Sequence, residues 1–302
     1  MTPALQLRYP AWRKQLPGVL MVLPALLLML VLVLFPVLHN FWLAFFQKHT
    51  LLHDRSWVFL NNYAYISQDQ QFWASFWLGT TYAVVSIVLQ LLAGVGAALI
   101  LNEAFWGRSL LRGIVLFPYM IPTIVAVIVW KWIFNDQYGI VNHWLMALGL
   151  VQQPVVWLGP ERIFTSLITV SIWTYFPFVV ISVLARLQTI PPDLYEAAKV
   201  DGAGAWARFV HVTLPQIRTV LFIVILLRSI WMFTKFDIVW LWAGSSYGGL
   251  GAHVRTLPIY TYHRMFGMYQ AGLGAALANV MFFLLLVAVV IYFRVFHREE
   301  EG

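Results

Sequence analysis

Leu187-Gln188-Thr189-Ile190-Pro191-Pro192-Asp193-Leu194-Tyr195-Glu196-Ala197-Ala198-Lys199-Val200-Asp201-Gly202-Ala203-Gly204, continued to Thr213-Leu214-Pro215, is a polar loop between two apolar runs near residues 163 to 185 and 219 to 242. Its residue order predicts two short helices. Asp193 can cap the first, with Glu196 three residues on in capping-box position; the prolines before Asp193 set the entry, and Gly202 supplies the positive φ of a helix end. A second helix is predicted from about Ala205 to His211, before Leu214-Pro215 leads back into the next apolar run.

Outward from this loop, the chain alternates between apolar runs and short polar connections. A hydrocarbon core of about 30 Å takes roughly 20 helical residues to cross. Runs of that length lie near residues 17 to 38, 77 to 101, 113 to 134, 163 to 185, 219 to 242 and 272 to 293. The expectation is an all-α polytopic membrane protein, one transmembrane domain over 1 to 302 with six spans and a loop at 186 to 217. The first run carries Pro17, Pro24 and Pro36, and the third Pro118 and Pro122; such kinks are tolerated where neighbouring helices or a cavity satisfy the freed carbonyls. The segments 39 to 76, 135 to 162 and 243 to 271 are rich in aromatics and Gly, with Trp57, Trp73, Trp77, Trp157, Tyr260 and Tyr262 expected at headgroup level. No separate soluble domain is expected, and the first run is too long for the core of a cleaved signal peptide.

Composition agrees. Of 302 residues, 61% are hydrophobic and 10% charged, with a mean hydropathy of +0.78. A soluble domain carries roughly 25% charged residues. Cysteine is absent, which excludes disulfides, thiolate metal sites and cysteine nucleophiles. Lys and Arg divide unevenly between alternate loops. Arg8, Arg13, Lys14, Arg108, Arg112, Arg186, Lys199, Arg208, Arg218, Arg294 and Arg298 fall on one side; Lys48, Arg55, Arg162, Arg255 and Arg264 fall on the other. The richer side is cytoplasmic by the positive-inside rule, which puts both termini and the 186 to 217 loop there. This layout uses up most of the net charge of +7 and leaves little for nucleic acid.

Chemistry on the chain itself is poorly supported. There is no G-x-x-x-x-G-K-[ST] phosphate cradle and no H-E-x-x-H, and the eight His are scattered along the chain. No catalytic residue and no metal ligand is assigned. Ionisable groups inside spans are functional candidates by default. Arg228 and Lys235, seven residues apart, fall two turns apart on one face of the fifth helix with Met232 between them, a cavity-lining stripe. The alternative is that Arg228 snorkels to the cytoplasmic end while Lys235 pairs with Asp237 or reaches outward. The fourth helix adds Ser171, Trp173, Thr174, Tyr175 and Phe178, aromatic faces with a few hydrogen-bonding groups of the kind that suit a sugar. Gln90 and Asn279 read as hydrogen-bond glue between helices, and Lys131 with Asp136 as an interfacial anchor.

Glu196-Ala197-Ala198, then Gly202 after three intervening residues, then Leu214-Pro215 have the spacing of a known loop, and here the chain resembles the permease subunits of binding-protein-dependent ATP-binding-cassette (ABC) importers. Asp201-Gly202-Ala203, with Ile190-Pro191 and Leu194-Tyr195-Glu196, narrows the resemblance to the carbohydrate-uptake branch, similar to the first permease subunit of maltose-type systems. It extends from about residue 77 onward and includes Phe117-Pro118-Tyr119-Met120-Ile121-Pro122, Phe134-Asn135, Phe236-Asp237 and Leu257-Pro258-Ile259-Tyr260. Val212 replaces a common Ile, and Ser245-Ser246-Tyr247-Gly248-Gly249 stands where many relatives have T-x-G-G-P.

The resemblance implies a type I ABC importer permease fold whose loop is a coupling helix seated in a separate ATPase subunit. Glu196, Ala197, Ala198, Asp201, Gly202, Leu214 and Pro215 would carry that coupling. Spacing alone leaves open whether Glu196 only completes its own capping box and Ala-Ala-Gly only makes a tight hairpin. The resemblance also places Ser171, Thr174, Tyr175, Phe178, Arg228, Met232 and Lys235 around a substrate cavity, with Tyr119 and Thr123 from the Pro118 motif. It implies no cofactor on this chain, ATP and Mg being held by partner subunits. The implied partners are a second permease, two copies of a cytoplasmic ATP-binding subunit, an extracytoplasmic sugar-binding protein and the lipid bilayer, with no nucleic acid; six helices could in principle also pair with a second copy. The location would be a bacterial or archaeal cytoplasmic (inner) membrane. The cargo expected is a di- or oligosaccharide or glycoside, the alternatives being an acidic sugar or glycerol phosphate. An ion-coupled secondary carrier would need inverted repeats and midplane carboxylates, and a membrane-embedded transferase or protease would need a constellation that is not found.

Overall fold

The computed structural model describes residues 11–243 and 249–300, with side chains described over 19–243 and 249–296. Arg8 and the run from Ser245 to Gly248 lie outside the described residues, as do the side chains of Arg13, Lys14, Pro17 and Arg298.

The first apolar run forms α1 (Ala11–Met29) and α2 (Phe35–Leu43), joined through a π-helical turn at Leu30–Leu34. Two three-residue strands, β1 (Phe46–Lys48) and β2 (Arg55–Trp57), and α3 (Asn61–Gln68) follow. Then come α4 (Gln70–Asn102), α5 (Arg108–Met120), α6 (Thr123–Ile133), α7 (Ile140–Ala147) and α8 (Ile163–Leu187). The loop carries α9 (Pro192–Val200) and α10 (Ala205–Arg208), which runs through a second π turn, Phe209–Thr213, into α11 (Leu214–Phe233). The chain closes with α12 (Asp237–Ala243), α13 (Leu257–Tyr262) and α14 (Ala271–Glu300). Among the described residues five helical stretches, the first running through α1, the π turn and α2, are long and apolar enough to cross a bilayer, and α5 with α6, bent by 102° at the break before Thr123, makes a sixth span if the pair is one crossing.

Three expectations need correction. The predicted second loop helix is not separate: residues Ala205–Phe233 form one continuous span. The run near 219 to 242 is instead interrupted, because α11 stops at Phe233 and Lys235 sits in the break before α12. Asp193 does not cap α9. Pro191 occupies the N-cap position with no side-chain hydrogen bond, and Asp193 lies inside the first turn, where a carboxylate favours the helix dipole instead. These two π turns share a setting. In a regular helix a proline ring collides with the carbonyl four residues back, and both widened turns stand ahead of a proline, in Phe35-Pro36 and in Leu214-Pro215; a third, at His263–Gly267, has no proline after it. In the first two, Phe35 N bonds to Leu30 O and Leu214 N to Phe209 O.

Contacts divide the chain into two compact units. The smaller comprises residues 1–68 and 264–282. Its hairpin pairs Phe46 with Trp57 and Lys48 with Arg55, and the Arg55 guanidinium lies 4.6 Å from the Trp42 ring centre. Asn62 donates to the carbonyls of Ala44 (2.8 Å) and Phe46 (3.0 Å). Asn279 accepts from Asn40 at 2.8 Å and donates to the Tyr63 hydroxyl at 3.1 Å, a role in keeping with helix glue.

The larger unit, residues 69–263 and 283–302, is built on α4 against α8. Asp69 caps α4 by accepting from Gln71 N at 2.9 Å, and its carboxylate also takes the Tyr260 hydroxyl. Ala83, Gly94 and Ala98 are buried along α4 and let the backbones approach, as small residues do between membrane helices. A Cβ added at Gly94 would overlap the Val179 side chain. One apolar cluster includes Leu167, Val170, Val239 and Trp242, whose indole donates to Ile163 O at 3.1 Å. Another, toward the loop, includes Leu101, Val180, Val183 and Ile217. Tyr292 of α14 stacks on Phe222 at 4.6 Å and donates to its carbonyl at 3.0 Å. Lys131 donates to Leu241 O at 2.7 Å rather than engaging Asp136.

Candidate substrate site and coupling loop

At the middle of the larger unit, three spans converge on Arg228. The side chain is 3% exposed. Its Nε donates to Gln90 Oε1 of α4 at 2.9 Å, and an Nη lies 3.0 Å from the Met232 sulfur one turn along α11. The guanidinium rests 4.9 Å from the ring centre of Tyr175 on α8. Lys235 places its ammonium 4.7 Å from the same ring centre and pairs with Asp237 at 3.1 Å. Arg228 and Lys235 therefore meet through Tyr175 although they do not share a helix. Of the alternatives read for Lys235, the pairing with Asp237 is present, and the same position sets the ammonium over Tyr175. Among the described residues no carboxylate lies within salt-bridge distance of Arg228.

The other candidates fall into two groups. Ser171, Thr174 and Met232 are buried. Ser171 bonds the Tyr82 hydroxyl at 2.7 Å, and Thr174 donates to the Val170 carbonyl of its own helix at 2.8 Å, so these groups back the site in this conformation. Tyr119, Phe178 and Lys235 are more open: Tyr119 and Phe178 rings lie 6.2 Å apart, and Phe178 meets Trp231 edge-on at 5.2 Å. Thr123 opens α6 directly after the bend. The Tyr175 hydroxyl is buried and meets no partner at hydrogen-bonding geometry.

Two residues of this centre lie outside the sequence-derived set. Gln90 is read above as glue, and it is glue, but the group it holds is Arg228. Tyr82, fully buried, reaches Ser171 across the helix pair. The signal for Gln90 was present, an amide in an otherwise apolar run; Tyr82 is one aromatic among many.

The loop has a defined helix end and is tied to the neighbouring spans. α9 ends with Gly202 at φ +77°. Ala203 N bonds Ala198 O at 2.9 Å and Gly202 N bonds Lys199 O at 3.0 Å, the paired bonds of a Schellman end. Glu196 is exposed and makes no hydrogen bond or ion pair among the described residues, so it does not complete a capping box; Ala197, Asp201 and Leu214 are exposed and Ala198 partly so. Tyr195 meets the Thr213 hydroxyl at 3.1 Å. Arg186, at the end of α8, donates to Gln216 O (2.8 Å) and Gln216 Oε1 (3.0 Å). α9, α8 and the start of α11 are thus tied together, and α11 carries Arg228. Among the described residues no cluster of His, Asp or Glu could hold a metal.

Comparison with known proteins gives a consistent result. The profile of the family described as binding-protein-dependent transport system inner membrane component matches residues 90–299. The trehalose/maltose transport system permease protein MalF of Thermococcus litoralis is 36% identical over 291 residues, covering 95% of this chain and 97% of that protein. The inner membrane ABC transporter permease protein YcjO of Escherichia coli is 36% identical over 283 residues, covering 92% and 94%. Among solved structures, a chain of a bacterial ABC transporter involved in the import of the acidic polysaccharide alginate superposes with a TM-score of 0.83 at 22% identity, over 95% of this chain and 96% of that one. At that identity the likeness speaks for the fold, which is the type I importer permease fold expected above.

Proposed function

Because the chain belongs to the family of binding-protein-dependent transport system inner membrane components, we propose that it is the permease subunit of an ATP-driven importer for a small carbohydrate. An extracytoplasmic binding protein delivers the cargo, a second permease completes the path, and two ATP-binding subunits supply the energy from the cytoplasmic side, where both termini lie. This chain forms no covalent intermediate and holds no nucleotide. Its work is to change which side the site opens to.

The observation that carries this reading is α9, a short helix closed by Gly202 that presents an unpaired Glu196 carboxylate beyond the spans. A free carboxylate beside small residues suits close docking against a basic group. Movement of α9 reaches α11 through Tyr195 and Thr213, and α11 carries Arg228 against Tyr175. At the site, the faces of Tyr175 and Phe178 suit the C–H surfaces of a sugar, while Arg228, Lys235 and Thr123 supply hydrogen-bonding groups for its hydroxyls. A neutral di- or oligosaccharide or glycoside fits this set.

A second reading is an acidic sugar or glycerol phosphate, favoured by one observation: Lys235 is neutralised by Asp237 while Arg228 has no carboxylate beside it. An ion-coupled carrier is set aside by the family. The decisive experiment is co-purification with the ATP-binding subunit, expected to be lost on Glu196→Lys or Gly202→Asp. Uptake by this chain alone in ATP-depleted vesicles would sink the proposal.

A further inference from the structure

We propose that a groove between α4, α11 and the α9–α10 segment binds a bilayer phospholipid with an anionic headgroup. The groove has a volume of about 1110 Å³. Its membrane half is aliphatic, from Leu91, Val95 and Leu99 on α4 and Leu221 and Ile225 on α11. At Gly96 the groove is open, since a Cβ there would meet nothing within 4 Å. Its other end is polar, with Lys199 and Arg208 against a single acid, Glu103.

Both cations are available. Arg208 spends one Nη on the Ala203 carbonyl at 3.2 Å, and its remaining N–H groups have no protein partner; Lys199 is exposed and has no ion pair among the described residues. Tyr195 and Trp206 stand beside them, aromatic rings of the type that sit at headgroup level. Basic pockets between spans on the cytoplasmic side attract anionic headgroups. The lining separates a lipid from a partner helix. A partner helix would need an apolar lining along its whole length, whereas here the aliphatic lining gives way to Lys199 and Arg208 beside α10; a lipid changes character in the same way, from its chains to its phosphate. The inference rests on the membrane placement of the chain and its cytoplasmic loop, and is independent of the cargo.

The test is native mass spectrometry of the purified, assembled transporter titrated with phosphatidylglycerol and with phosphatidylcholine. Phosphatidylglycerol should be retained roughly tenfold more tightly, as two basic groups at a headgroup would give. The double variant Lys199→Gln/Arg208→Gln should lose that preference, and Gly96→Phe, which fills the aliphatic half, should lower retention of both lipids with subunit composition unchanged. Equal retention of the two lipids, or a preference that survives both variants, overturns the proposal. So does a photo-crosslinker at Leu92 that captures a partner permease instead of lipid.

Discussion

Arg228 on α11 and Gln90 on α4 are joined by a 2.9 Å hydrogen bond in a layer where both side chains are buried. Among the described residues the amide is the one oxygen to which the guanidinium donates; its other contacts are a thioether and the rings of Tyr175 and Trp231. Gln90→Leu should therefore leave a buried cation short of an acceptor. Interhelical hydrogen bonds in membranes are worth about 0.6 kcal/mol on average and up to about 1.7, and the charge on Arg228 favours the upper figure. The expected outcome is a lower melting temperature in detergent, restored in part by Gln90→Glu. An unchanged melting temperature would remove Gln90 from the account.

Lys235→Ala should alter the dependence of transport on sugar concentration while leaving association with the ATP-binding subunit intact. The cation lies over Tyr175, far along the chain from α9. Transport kinetics identical to the parent would exclude Lys235 from the site.

Cargo charge has its own test. If the cargo is neutral, transport should be inhibited by neutral disaccharides and indifferent to a glucuronide. The reverse order would move the acidic-sugar reading to first place, and Arg228→Gln would then weaken the acidic competitor more than the neutral one.

Gly94→Val should destabilise the α4–α8 pair by about 1–3 kcal/mol, the usual cost of overpacking, because its Cβ would enter the space of Val179. Gly113→Ala, inside α5 where a Cβ meets nothing within 4 Å, is the control and should be neutral or stabilising by up to about 1 kcal/mol. Chemical or thermal unfolding in the same detergent compares the two.

His263 gives a pH dependence outside the spans. Burial lowers its pKa below the ordinary histidine value, and Arg255 adds to the effect. The folded protein thus holds His263 neutral where the unfolded chain begins to take up a proton. Its contribution to stability is complete above a pH of about 6.5 and is lost as pH falls through the lowered folded value. The melting temperature should drop between pH 7.5 and 5.5, and His263→Gln should flatten that drop.

Sequence legibility followed physical cause. The spans were readable because a hydrocarbon core imposes length and apolarity on every crossing. Gly202 was readable because a left-handed helix end has a strong residue preference. Asp193 was misread as a cap because a proline can also open a helix, and local spacing does not rank the two. The break before Lys235 was hidden because Thr234-Lys235-Phe236 contains neither Gly nor Pro; packing of α12 against α6 and α8 takes over there. Likewise the meeting of Lys235 and Arg228 on Tyr175 is a tertiary fact. Asn142 shows the same limit: buried on α7, it binds Val155 N at 3.1 Å, Val155 O at 2.9 Å and the Trp157 indole at 3.0 Å, an arrangement that no short motif announces.

The turn at Phe209–Thr213 also resets the angular phase of everything upstream of it. At about 100° per residue, an uninterrupted α-helix would put Trp206 about 100° around the axis from Ile225. A π turn absorbs one residue without advancing the helix face, which cancels that offset and returns Trp206 to the side of Ile225. Both line the same groove. A helical wheel drawn through 205–233 as one regular helix would assign Trp206 to the wrong face, and removing one residue from the turn would straighten the helix while keeping its downstream faces in place.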